Sequence, residues 1–134
     1  MVSRETSGSA VGPPDLPPWL EPARVALVEY ADILVGPGIE RGLLGPREAD
    51  KVWSRHIINC AVVAELDLKI IGTGARIADI GSGAGLPGLV WALARPDVSV
   101  VLIESLLRRV TFLTECIAAL ELTDRVQVVR ARAE

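Results

Sequence analysis

The chain has 134 residues, half of them hydrophobic, with 14 basic residues against 17 acidic ones and a net charge of −3. Such a length suits about one domain, and such a composition a packed core rather than a disordered chain. The acidic balance excludes a globally basic nucleic-acid binder, and the longest charge-free stretch, 80–94, carries four glycines and a proline and is too short to cross a membrane.

Residues 1–18, MVSRETSGSAVGPPDLPP, are rich in Ser, Gly and Pro and lack the apolar centre of a secretory signal, so they read as a tail. A helical region is expected over 19–72. Its first helix opens near Pro22 and stops at Gly36-Pro37-Gly38. The second starts at Gly45-Pro46, and Ala49, Val52, Trp53, Ile57, Cys60 and Val63 recur at spacings of three and four, giving one apolar face. Trp19, Trp53 and Trp91 read as core. Cys60 and Cys116 have no metal-ligand spacing around them and read as small buried thiols, which points to the cytoplasm and to no metal site.

Over 73–134 the period changes. RIADI (76–80) reads as a buried strand, and helix signals follow from Pro87 to Ala94. VSVVLIE (98–104) is a β-branched run without polar alternation, as in a strand covered on both faces. LLRRVTFLTECIAALEL (106–122) returns to helical spacing, and RVQVVRA (125–131) is a third strand with Val128 and Val129 in the core. Alternating strands and helices mean an α/β fold with a parallel sheet. Its ligand belongs at the carboxyl ends of the strands.

That is where DIGSGAGLPG lies, with Gly81, Gly83, Gly85 and Gly88 inside eight residues. Glycine serves where the backbone takes positive φ or a ligand approaches closely. Two ligands compete. Gly83-Ala-Gly85-Leu-Pro-Gly88 matches the dinucleotide pattern G-x-G-x-x-G of an NAD-dependent oxidoreductase, but only in a frame shifted from the strand end. Counted from the strand, Asp79-Ile-Gly81-x-Gly83-x-Gly85 is the loop form of Rossmann-like S-adenosylmethionine-dependent methyltransferases. Either ligand has a ribose, and Glu104, at the end of the second strand, is placed to accept bonds from its hydroxyls. The helix near Pro87 is expected to aim free N–H groups at an anionic ligand group.

DIGSGAGLPG, the following ARPDVSVVLIESLLRRVTFL and the upstream RHIINCAVV resemble the bacterial 16S ribosomal RNA guanine-N7 methyltransferase family, also called glucose-inhibited division protein B. The resemblance covers about 20–134. It implies a class I methyltransferase sheet behind a short helical amino-terminal region. It also implies that Gly81 and Leu86, in the loop with Gly83 and Gly85, meet the methionine part of S-adenosylmethionine, that Glu104 holds the ribose, and that Ala133 and Glu134 meet the adenine edge. Arg108 and Arg109 would lie on a basic rim that contacts RNA phosphate, and Arg55-His56 match a recurring Arg-His pair at the substrate side. No catalytic constellation accompanies His56, the single histidine. None is needed to methylate guanine N7, which has a lone pair and no proton to remove.

Family members continue for several more strands and helices. The chain is therefore expected to hold only the first half of the sheet, with an exposed edge on RIADI. Alone it would be a fragment or truncated product that binds cofactor or RNA without turnover.

Overall fold

The computed structural model describes residues 12–132. Within the expected tail, Leu16 is buried against the core. A 3-10 segment over Pro18–Ala23 leads into helix α1, Arg24–Ile33, which buries Leu27, Tyr30 and Ala31. The helix does not stop at Gly36-Pro37-Gly38. It runs on as a π-helical turn over Leu34–Gly38, because proline has no N–H to donate and crowds the carbonyl four residues back, so the ladder widens.

The expected second helix is broken as well. Pro46–Lys51 is 3-10, Val52–Ile57 is a π-helical turn, α2 is only Ile58–Ala61, and Val62–Ala64 is again 3-10. The apolar face holds nonetheless, with Val52, Trp53, Ile57, Ala61 and Ala64 buried. Trp19 and Trp91 pack partly buried against the core. Cys60 is half-buried, Cys116 is buried, and both are free thiols.

The three strands are β1 (Arg76–Ile80), β2 (Ser99–Glu104) and β3 (Val126–Arg130), parallel and in the order β1-β2-β3. Ile77 pairs with Val100 and Val100 with Val126, so Ile77, Asp79, Val100, Leu102, Glu104, Val126 and Val128 share one face. Helices α3 (Gly88–Ala94) and α4 (Leu107–Ala119) pack there, and α1 and α2 pack behind α3. This is an α/β Rossmann-like layering of sheet and helices.

The opposite face departs from expectation. Ile80 is 61% and Val129 42% exposed, and Val101 and Ile103 are only half-buried. No described helix lies over them, so β2 is covered on one face and Val129 is not core. β1 forms the edge of the described sheet. Its burial is confined to Asp79, with Ile77 half-buried, rather than spread along the strand. Among the described residues, no helix is long and apolar enough to cross a membrane.

Candidate functional site

Gly81 begins where β1 runs out. Its N–H and that of Ser82 donate to the Ile103 carbonyl on β2, at 2.8 and 3.3 Å. The chain then turns through positive φ at Gly81 (76°), Gly83 (57°) and Gly85 (100°), a region costly for residues with a Cβ.

The glycines divide into two pairs. A Cβ at Gly81 would meet nothing within 4 Å, and one at Gly83 only the Gly81 carbonyl at 4.0 Å. These two face open space. A Cβ at Gly85 would lie 2.5 Å from Leu89 Cδ1 and 2.9 Å from the Tyr30 hydroxyl, and one at Gly88 2.6 Å from Leu102 Cδ2 and 2.7 Å from Asp79 Oδ2. These two are required by packing. Gly85, expected at the ligand, presents its Cα to the protein interior.

The sequence suggests free N–H groups at the start of α3, but the first two are taken. Gly88 N–H donates to buried Asp79 Oδ2 at 3.0 Å, and Leu89 N–H to the Gly85 carbonyl at 2.7 Å. Burial pushes the Asp79 carboxyl above its usual range, against the pull of the Gly88 N–H. Asp79 therefore joins the loop to the helix and occupies the place an anion would take.

Glu104 sits across from Gly83 and is 4% exposed. Its Oε1 accepts the Gly83 N–H at 2.9 Å, and its Oε2 accepts the N–H groups of Ser105 and Leu106, both at 3.0 Å. Arg109 Nη1 stands 4.0 Å from Oε1. Burial raises the carboxyl, but the N–H groups of Leu106 and Gly83, with the Arg109 charge and the Ser105 N–H, outweigh it and hold the group below its usual range.

A stability effect follows. Glu104 stabilises the folded chain above the unfolded-chain value of about 4.3, and that contribution disappears as pH falls through the lower folded value. Glu104→Gln turns a donor toward these N–H groups and should cost about 1.5–3 kcal/mol near neutral pH. Denaturation as a function of pH checks this: the gap between wild type and Glu104→Gln should close on the acid side. A gap that stays constant down to pH 3 would show that the charge contributes nothing.

Around these groups lies a cleft of about 400 Å³ lined by Ile80, Gly81, Ile103, Glu104, Ser105 and Arg132, among others. A cleft of about 330 Å³ at the amino ends of the strands includes Arg76 and Arg125. There the Arg125 guanidinium is turned to the carbonyls of Arg95 and Val98, and no glycine opens the backbone.

Leu86 is half-buried between Gly85 and α3. Arg109 reaches toward the cleft, whereas exposed Arg108 donates to the Arg41 carbonyl at 3.0 Å. His56 Nε2 lies 2.8 Å from Glu48 Oε1, and Arg55 3.8 Å from the other oxygen, so this pair forms a separate cluster centred on Glu48. Ala133 and Glu134 lie outside the described residues. Sequence reasoning did not find Tyr30, whose hydroxyl donates to the Ala84 carbonyl of the loop at 2.8 Å, nor the clamp of Glu104 on the loop backbone. Among the described residues, no group of three or more His, Cys, Asp or Glu is arranged to hold a metal ion.

A parallel sheet with a glycine loop after its first strand and a buried acid ending its second is the arrangement of a Rossmann-like class I methyltransferase domain. Residues 24–134 match the GidB family model, described as rRNA small subunit methyltransferase G, and the chain belongs to that family. It is 59% identical to ribosomal RNA small subunit methyltransferase G of Mycolicibacterium gilvum, over 84% of this chain and 47% of that protein. It is 62% identical to the same-named protein of Mycobacterium leprae, over 78% and 40%, and 58% identical to that of Salinispora tropica, over 80% and 43%. The chain thus spans less than half the length of these relatives. A weaker likeness, at 26% identity and a TM-score of 0.45 over 54% of this chain and 39% of the other, is to the C-terminal domain of precorrin-6Y C5,15-methyltransferase from Rhodobacter capsulatus.

Proposed function

We propose that the chain carries the S-adenosylmethionine-binding half of a methyltransferase that modifies N7 of a guanine in 16S small-subunit ribosomal RNA, in the cytoplasm. The observation that carries this reading is the division of the glycines: the backbone is open at Gly81 and Gly83, Gly81 lines a cleft that Glu104 also lines, and the Gly83 N–H is held by that same Glu104. A volume of about 400 Å³ suits a ligand of nucleoside size.

The residues present fit the cofactor. Glu104 has two oxygens with about four acceptor sites, and backbone N–H groups use three of them. One is left for a ribose hydroxyl without undoing the loop. The methionine part would lie over Gly81 and Gly83 toward Leu86, and Ala133 and Glu134 are the residues proposed to meet the adenine edge. When bound, S-adenosylmethionine supplies an electrophilic methyl group on its sulfonium. The chain's own task is to hold that cofactor and the target base in line, since positioning alone accounts for much of the barrier and N7 needs no general base.

The base must come from a loop or be turned out of its stack, because side chains cannot read the major groove of A-form RNA. Arg109 beside the cleft, exposed Arg108, and Arg55 with His56 are the residues proposed to meet RNA. NAD is the weaker reading. Its pattern needs open backbone at Gly85 for close approach to a pyrophosphate, yet a Cβ at Gly85 would meet Leu89 and Tyr30.

Gly83→Val tests the proposal. It puts a β-branched side chain at φ 57°, at a strain of about 1–2 kcal/mol, and projects it into the space assigned to the cofactor. Calorimetric titration should show S-adenosylmethionine affinity reduced by about tenfold or more, with helical circular dichroism retained. Unchanged affinity would show that the open space over Gly83 is not the cofactor site.

A further inference from the structure

We infer that Tyr30, on a helix remote in sequence from the loop, is a positioning residue for cofactor binding: its hydroxyl pins the peptide joining Ala84 to Gly85 and so holds the glycine loop in its binding shape. The inference rests on the cofactor reading of that loop.

Tyr30 is fully buried in α1, and its hydroxyl donates to the Ala84 carbonyl at 2.8 Å across 54 residues of sequence. The amide end of the same peptide is held too, since Gly85 N–H donates to the Ser82 carbonyl at 2.8 Å. Ser82 is in turn anchored through its hydroxyl, which donates to the Asp79 carbonyl at 2.8 Å. One peptide plane is thus fixed at both ends, and with it the φ of 100° at Gly85. On one side of that plane lies Gly83, its N–H on Glu104, which lines the cleft. On the other, Gly85 leads through Leu86 into α3.

Without the Tyr30 hydroxyl the Ala84 carbonyl loses its donor in the interior. A buried carbonyl without a partner is costly, and the loop can relieve that cost by turning the peptide. Each turned conformer displaces Gly83 from its place over Glu104. Apparent affinity then falls by the fraction of chains left in the binding shape. Tyr30 is fully buried and does not line the cleft, so it affects the cofactor only through the backbone.

The test compares wild-type chain with Tyr30→Phe, with 4-aminophenylalanine placed at position 30, and with Leu27→Ala, a fully buried neighbour on α1 that makes no bond to the loop. S-adenosylmethionine affinity is measured by calorimetry and exchange of the Gly85 amide hydrogen by NMR, at a temperature where all four are folded. Tyr30→Phe should bind about three- to tenfold more weakly, the equivalent of one neutral buried hydrogen bond, and its Gly85 amide should exchange faster. The amino group should restore both. Leu27→Ala should lose stability yet keep its affinity.

Wild-type binding and exchange in Tyr30→Phe would overturn the inference. So would a loss of affinity shared equally by Leu27→Ala and not restored by the amino group, because Tyr30 would then be a core residue only. If wild type itself takes up no S-adenosylmethionine, the cofactor reading falls, and Gly85 exchange still decides whether Tyr30 pins the loop.

Discussion

Arg95→Ala is expected to destabilise the chain by about 2–4 kcal/mol, chiefly the cost of leaving the buried carbonyls of Ala64 and Ile71 without their donor, since the partner carboxylate Asp97 is 35% exposed and can turn to water. Arg95 follows α3 and is only 3% exposed. Its Nη1 donates to the carbonyls of Ala64 and Ile71, at 3.1 and 3.0 Å, and its Nη2 to that of Gly72 at 3.1 Å. Its Nε and Nη2 also grip the two oxygens of Asp97, both at 2.8 Å. Asp97 accepts the Gly74 N–H at 2.8 Å as well. The hydrogen bond from Arg95, then that from Gly74, hold the Asp97 carboxyl far below the usual carboxylate range. One guanidinium therefore ties the segment joining the amino-terminal helices to β1 onto the end of α3. Alanine leaves the carbonyls of Ala64, Ile71 and Gly72 without this donor. Arg95→Lys keeps the charge but not the planar fork, so it should recover only part of the loss. Chemical denaturation of the three chains checks this, and an Arg95→Ala chain within about 0.5 kcal/mol of wild type, the range of ordinary surface changes, would contradict it.

Gly85→Ala should have an effect of similar size for a different reason. The added methyl would sit 2.5 Å from Leu89 Cδ1 and 2.9 Å from the Tyr30 hydroxyl, at a backbone φ of 100°. Overpacking of about 1–3 kcal/mol and left-handed strain of about 1–2 kcal/mol add to about 2–5 kcal/mol. Gly81→Ala carries the strain without the clash, because its Cβ meets nothing within 4 Å. A loss at Gly85 no larger than that at Gly81 in denaturant titrations would mean that the packing distinction between the glycines is wrong.

That distinction was not legible in the sequence, where four glycines at near-regular spacing look equivalent. The succession of strands and helices, the α/β class and the placing of Gly81 and Glu104 at strand ends were legible, because β-branched runs and turn residues are local signals. What escaped depends on contacts between distant segments. Tyr30 meets Ala84, and Arg95 meets Ala64, only once the helices are packed. Arg95-Pro96 is locally a helix-stop signal, and nothing near it in sequence marks the carbonyls of Ala64, Ile71 and Gly72 that Arg95 reaches. Val129 was misjudged for a related reason. Its β-branched neighbourhood predicts a strand, but which face is covered depends on helices beyond the local pattern. The helices after Pro22 and Pro46 were legible as apolar faces and not as hydrogen-bond types, since a π-helical turn and an α-turn bury nearly the same stripe.

The central claim is that S-adenosylmethionine lies over Gly81 and Gly83 against Glu104. Amide chemical shifts of the isotopically labelled chain, followed during titration with S-adenosylmethionine and separately with NAD, test it most directly. The account predicts saturable shifts with S-adenosylmethionine concentrated at Gly81, Gly83, Ser105 and Leu106, far smaller ones at Arg76 and Asp124 at the other end of the strands, and none with NAD. Saturation by NAD, or S-adenosylmethionine shifts centred on Arg76 and Asp124 with Gly81 and Gly83 unmoved, would contradict it.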